Sequence, residues 1–261
     1  MPVVITGAAT NTNKACVTWQ AIEPTITSSG DADGYPAINL IDPATWSSWL
    51  ASGANGWVRY DFGSAVSIDS VAVVAHELAT SAATVSIQSS HDGVTWTTQS
   101  TSSPLTDEDI LFLFPSVSAR YWRILLGANP ANISVLIISA KLSFPHTPID
   151  SYTPLHHART YDKMFNDSIN GVMLGNRVMA TGAETSVDFG FVQRSFVDND
   201  LRTFEDWYNQ GGTFVYSGWP FGQPLDMGYC RAISEADIIA VEYIEGENLA
   251  NLSFGIHSYV G

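Results

Sequence analysis

The chain has 261 residues, of which 45% are hydrophobic and only 14% charged, enough apolar material for one or two cored domains. Eleven Lys and Arg stand against 26 Asp and Glu, a net charge of −15, with no basic cluster among them, which argues against nucleic acid and against an anionic membrane surface as partners. The two cysteines, Cys16 and Cys230, lie one in each half; that is not the pattern of a disulfide-stapled secreted domain, and both are expected to be reduced and buried. The N-terminal MPVVITGAAT lacks the basic and long apolar regions of a secretory signal. No run reaches the ~18 apolar residues of a membrane span. Folding in a reducing cytoplasm, without membrane insertion, is the expectation.

In chain order, Val3-Val4-Ile5 and Ala15 to Trp19 are short runs of β-formers. SSGDADGY, Ser28 to Tyr35, is a loop rich in Gly and Asp. Asn39 to Trp49 is expected to make a short turn or a single helical turn before Pro43 and the Trp pair. Arg59 to Phe62 and Ser70 to Ala75 read as two strands around a break at Gly63-Ser64, and His76 to Ala82 as a loop. Thr84 to Gln99, TVSIQSSHDGVTWTTQ, alternates Val85 and Ile87 with Ser86 and Gln88, the period of a half-buried strand. Asp92-Gly93 then predicts a tight hairpin turn, with Trp96 on the returning strand. Ile110 to Phe114, Arg120 to Leu126 and Ser134 to Phe144 complete about eight strands, the number of a β-sandwich.

Pro145 to Pro154 holds three prolines and reads as a stiff linker. Domains are expected at 1–145 and 160–261, joined by a linker over 146–159. In the second, Gly171 to Ala180 and Thr185 to Phe196 look like paired strands. A helix over about 200–210 follows, capped from Asp198, Asn199 or Asp200. Leu201, Phe204, Trp207 and Tyr208 form its apolar stripe, and Gly211-Gly212 stops it. Thr213 to Tyr216, Met227 to Ile233, Ile238 to Ile244 and Leu252 to Tyr259 are further strands. The expected class is mainly β: a sandwich, then a β-domain with one packed helix.

Four segments in order carry a resemblance: Asp42, Thr45 and Trp46; Trp57, Asp61 and Gly63; Ser90, Asp92, Gly93 and Trp96; and Ala119, Arg120, Tyr121, Arg123 and Ile124. Residues 10 to 145 resemble the discoidin, or coagulation factor type C, family of galactose-binding-like domains. The resemblance implies an eight-stranded jelly roll that binds glycans, lipid head groups or protein surfaces through loops at one end. It also implies that Trp46, Trp57 and Trp96 are core. The second half is similar, more loosely, to domains of phage tail-tip and baseplate proteins. Together they imply a virion part, assembled in the host cytoplasm in several copies, docked to other phage tail proteins through the second domain and displaying the jelly roll toward a host surface glycan. The alternative is a carbohydrate-binding module of a bacterial surface protein or enzyme.

The resemblance also directs attention to loops. Tyr35 and Trp49 are candidate platforms for a sugar ring. His76 and Glu77, following a strand, are candidates for sugar hydroxyls. Asp31, Asp33 and Asp42 are candidate oxygen donors to a structural calcium ion, which takes six to eight oxygens. No catalytic motif accompanies them: there is no G-x-S-x-G, H-E-x-x-H, P-loop or G-x-G-x-x-G. Ser90-His91-Asp92 has the letters of a triad, but consecutive residues do not assemble one. The acids of the helix are explained by its first turn. The chain is therefore expected not to be an enzyme.

Overall fold

The computed structural model describes residues 3–9, 11–149 and 152–259. The strands in chain order are β1 (Val3–Ile5), β2 (Cys16–Thr18), β3 (Thr25–Ser28), β4 (Trp57–His76), β5 (Val85–Ser90), β6 (Thr97–Ser102), β7 (Ile110–Leu126), β8 (Ile133–Ser139), β9 (Leu142–Ser143), β10 (Arg159–Asp167), β11 (Met173–Gln193), β12 (Phe214–Ser217), β13 (Met227–Arg231), β14 (Ala240–Tyr243) and β15 (Leu249–Tyr259). One α-helix, α1 (Arg202–Asn209), follows a π-helical turn at Phe196–Leu201. Among the described residues no helix is long and apolar enough to cross a membrane. The fold is mainly β, as expected, and divides into two units: Met1–Thr147 with Thr213–Met227, and Pro148–Gly212 with Gly228–Gly261.

The first unit is a jelly-roll β-sandwich organised on two long strands. β4 and β7 pair antiparallel along most of their length, from Trp57↔Leu125 to Val73↔Ile110. Each was expected as two strands. The register shift between Asp61 and Val66, where Gly63 takes a φ of +74°, bends β4 without ending it, as a bulge does. The burial patterns differ along the strand. In Trp57–Asp61 every second residue is buried, whereas Val71-Ala72-Val73-Val74 are buried on both faces. A continuous apolar run is what a doubly covered strand requires, and β8 is likewise buried throughout. β1 joins β7 in parallel, β3 and β8 flank β4, and β5 and β6 extend the sheet beyond β7.

A small second layer pairs β2 with β9 on one side and with β12 on the other. The expected boundary gave residues 213–227 to the second domain. They group with the first unit, because Val215, Tyr216 and Ser217 hydrogen-bond to the ladder of Thr18, Val17 and Cys16. Cys16 and Cys230 are both buried, and neither forms a disulfide among the described residues.

None of the three tryptophans expected in the core lies there. Trp96 is half-buried, with the Arg123 guanidinium 4.1 Å over its ring, and Trp57 is half-buried on the outward face of β4. The third, Trp46, is treated with the site. The ring that fills the sandwich is Trp122, fully buried and stacked on Phe114 at 5.8 Å. Nor is the Asp92-Gly93 turn tight. Six residues separate β5 from β6, and Asp92 organises them by accepting the N–H groups of Val94 and Thr95 and the Ser90 hydroxyl. Those bonds, the backbone ones first, hold its carboxyl far below the usual range. An Asx-type loop has replaced the two-residue hairpin.

In the second unit β11 lies between β10 and β15, and β15 pairs β14 and Cys230–Arg231. The helix packs inside this unit. Leu201, Phe204 and Tyr208 are buried and Trp207 half-buried; Phe204 and Tyr208 meet the Phe254 ring edge-on at 6.1 and 5.7 Å. The helical path begins earlier than expected, at Phe196, and no side-chain cap bond is made at Ser195 or Leu201. Gly211, with a φ of +78°, ends it, and a side chain at Gly212 would strike the Trp207 ring. The expected linker is not a free spacer. Ile149 N–H donates to Asp188 O, Pro154 to Ala158 form a turn, and Leu155 is buried. Residues 150 and 151 of it lie outside the described residues.

Candidate functional site

One end of the first unit is stitched together by backbone bonds between loops. Ala32 N–H donates to Leu50 O, Leu50 N–H to Tyr35 O, and Trp49 and Ile133 exchange both bonds. Ile133 stands opposite His76 in the β4–β8 ladder, and Glu77 N–H donates to Asn132 O. Asn129 ties Ser81 and Ala82 to the same end. Asp31, Tyr35, Trp49, His76 and Glu77, read separately in the sequence, are thus brought to one loop cluster.

Their roles divide differently from the expectation. Trp49 is 0% exposed, with its indole N–H donating to Asp31 Oδ1 at 2.9 Å. Its faces are closed, so it is core and not a ring platform. Trp46, expected in the core, is 88% exposed at the tip of the turn after Pro43. The turn is set by Asp42, whose Oδ1 accepts Ala44 N–H. The two tryptophans have exchanged places because the turn is short: three residues after Trp46 the chain is drawn into the bridge with Ile133. Tyr35 is 42% exposed and keeps its candidacy as a platform.

The acids do not form a metal cluster. Asp31 Oδ1 is shared by the Ser28 hydroxyl and Trp49, Asp42 braces its own turn, and Asp33 is exposed in the loop between them. Among the described residues no three His, Cys, Asp or Glu side chains converge as metal ligands.

His76 is buried rather than displayed in a loop. It ends β4 after Ala75, a non-glycine residue at φ +48°, a conformation that costs on the order of 1–3 kcal/mol and is anchored by Asp109 accepting Ala75 N–H. Leu78 N–H donates to His76 Nδ1 at 3.3 Å, which assigns the proton to Nε2. That Nε2, at the end of β4, and Asn132 Oδ1, just ahead of β8, are buried side-chain atoms with no assigned hydrogen bond among the described residues. Asn132 Nδ2 donates to Glu77 Oε2 at 2.7 Å, so Glu77 is oriented by the same residue. Asp107, 3.9 Å from His76 Nδ1, is tied to Ala79 and Thr80; burial alone would raise its carboxyl, but the Thr80 and Ala79 bonds and His76 hold it below the usual range. Neither Asp107 nor Asn132 stood out in the sequence. Both are polar residues just ahead of strands, the only signal that was present.

Burial pushes the His76 imidazole below its ordinary value, against the smaller opposing pull of Asp107. The folded state therefore binds this proton less readily than the unfolded chain. The contribution to stability is complete above about pH 6.5 and is lost as pH falls below it, because the unfolded state then takes up protons first. We expect urea midpoints to fall from pH 7 to pH 5, and His76→Gln to flatten that slope. An unchanged slope in the variant sinks this assignment.

Residues 25–137 match the family model of the F5/8 type C domain. No curated protein matches the chain. Solved structures similar to it include a pectin binding carbohydrate binding module, 22% identical over 44% of this chain and 89% of that one, with a TM-score of 0.39. A carbohydrate-binding module of AlyQ in complex with 4,5-unsaturated mannuronic acid is 27% identical over 44% and 92%, TM-score 0.38. A module from Clostridium perfringens in complex with GalNAc-β-1,3-galactose is 12% identical over 47% and 99%, TM-score 0.42. Over residues 25–137 the first unit is thus similar to the F5/8 type C (discoidin-like) domain.

Proposed function

We propose that the chain is a carbohydrate-binding protein and not an enzyme, and that glycan binds at the loop end of its F5/8 type C domain. The observation that carries this reading is Trp46, a ring almost wholly in solvent on a loop held rigid by Asp42 and by the Trp49–Ile133 bridge. An exposed Trp on a rigid support stacks on a sugar face at little entropic cost. Tyr35, Glu77 and Asn132 border the same end and supply hydroxyl, carboxylate and amide groups for orientation. Asp31, Asp33 and Asp42 remain a proposed place for calcium only if further oxygens are supplied by backbone.

Trp46→Ala should weaken glycan binding about tenfold or more, equivalent to ~1.4 kcal/mol, with no change in melting temperature. Glycan-array screening followed by titration calorimetry reads this. Equal affinity in the variant removes Trp46 from the site.

A second reading is a structural part of a larger assembly, as the resemblance of the second half to phage tail-tip proteins implies; the virion, assembled in the host cytoplasm, is its proposed location. The observation favouring it is the exposed apolar arm formed by β10 and the first part of β11. In this reading the second unit docks to other tail proteins while the loop end faces a host glycan.

A further inference from the structure

Residues 159–181 form a two-stranded arm in which every residue but Ser168 is exposed. Tyr161, Met164 and Phe165 of β10 and Leu174, Val178 and Met179 of β11 are each at least half exposed. Directly opposed residues of a ladder share a face. Phe165 opposes Asn176 and Met164 opposes Arg177, so apolar side chains stand on both faces. A two-stranded hairpin alone is marginal in water. Among the described residues β10 pairs only with β11, and its outer edge is a template for another strand. Lipid does not suit this arm, because open backbone edges do not enter hydrocarbon. A protein strand does.

We propose that this strand is the β10 edge of a second copy, paired antiparallel about a twofold axis at Lys163. β10 is the regular member of its hairpin: at the register shifts the extra residues, Met179 and Leu174, belong to β11. Residues an even number apart on β10 therefore share a face. Centring on Lys163 sets Arg159 against the partner's Asp167 and Tyr161 against the partner's Phe165, and symmetry makes each pair twice. Centring on Asp162 sets Arg159 against Phe165, and centring on Met164 sets Tyr161 against Asp167; both lose the ion pairs and the aromatic pairs. Lys163 meets its own copy at the axis, but its ammonium lies over the Tyr161 ring at 5.1 Å, drawn back along its own strand. Charge favours the same occupant. The arm carries three cations and two acids, and the rest of the chain eight cations and 24 acids; a second copy offers a mildly basic arm an acidic surround.

Sedimentation of the full chain should show a dimer. Phe165→Asp should shift it to monomer at unchanged circular dichroism. Arg159→Asp should raise the dimer dissociation constant about tenfold, and the double variant Arg159→Asp with Asp167→Arg should restore it. Lys163→Cys should oxidise to a disulfide-linked dimer faster than Asp162→Cys, and a dimer in which both link at equal rates overturns the register. A wild-type monomer at all concentrations, a dimer indifferent to both Phe165→Asp and the charge swap, or an arm that binds phosphatidylcholine vesicles in place of self-association overturns the proposal.

Discussion

Replacing Asp69 by alanine is expected to cost roughly 3–5 kcal/mol of stability, since it strands a buried charge. The Lys141 side chain is 2% exposed and its ammonium is paired to Asp69 Oδ2. Lys141 N–H also donates to Asp69 Oδ1 at 2.8 Å. The arrangement depends on a defect in the ladder. Ile68 pairs Val117 and Ser70 pairs Leu113, so Asp69 is passed over at the register shift and is free to receive Lys141 ahead of β9. Removing the carboxylate leaves an ammonium that water does not reach. Urea denaturation of Asp69→Ala reads the loss, and a change under 1 kcal/mol would show that Lys141 finds water. Asp69→Leu with Lys141→Met should recover most of the stability, because an apolar pair of similar volume has no charge to compensate. Cys16 gives an independent readout. Burial pushes its thiol up to about 12, with Lys141 pulling it down and Asp69 pushing it up. Without Asp69 the thiol should acidify, and alkylation in the folded protein should quicken.

The sequence carried the class of the fold and the order of its strands, because alternation and apolar runs are local. It did not carry strand continuity. Gly63 reads as a stop, yet the Asp61–Arg120 ion pair at 2.7 and 2.9 Å clamps β4 to β7 beside the bend, and both strands run on. Burial pulls the Asp61 carboxyl upward, but the Arg120 bond, the largest effect, holds it below its usual range. The placement of β12 was equally illegible. Phe214–Ser217 pairs residues about 200 positions away, and no local pattern encodes a partner at that distance. Trp96 was misplaced for another reason: the family resemblance implied a core position, but after the wide Asx loop it is half-buried under Arg123. At the loop end the residue types were visible and their directions were not. His76 reads as the start of a loop, whereas the ladder to Ile133 keeps it in the strand and buries it. The arm went unread because its alternation looks like that of any covered hairpin; only burial distinguishes it.

Trp49→Ala should cost about 3–5 kcal/mol, the range for deleting a large ring from a packed core. The residue is fully buried beside Leu40 and Ala51 in the sandwich core, and its backbone bridge to Ile133 makes it the joint between the first loops and β8. The ring does a second thing that volume alone does not describe. Its indole N–H holds Asp31 Oδ1, and Asp31 in turn bridges Ala51 and opens the loop that carries Tyr35. Trp49→Phe should therefore separate the two effects. It keeps most of the packing, so the melting temperature should fall modestly, but it releases Asp31, and glycan binding should weaken through a loosened Tyr35 loop. Trp46→Ala is the opposite case, with binding lost at constant stability. Thermal melts and glycan titrations on the three variants together decide the assignment. If Trp49→Ala melts like the wild type while abolishing binding, and Trp46→Ala leaves binding intact, the ring platform is Trp49 and the assignment fails.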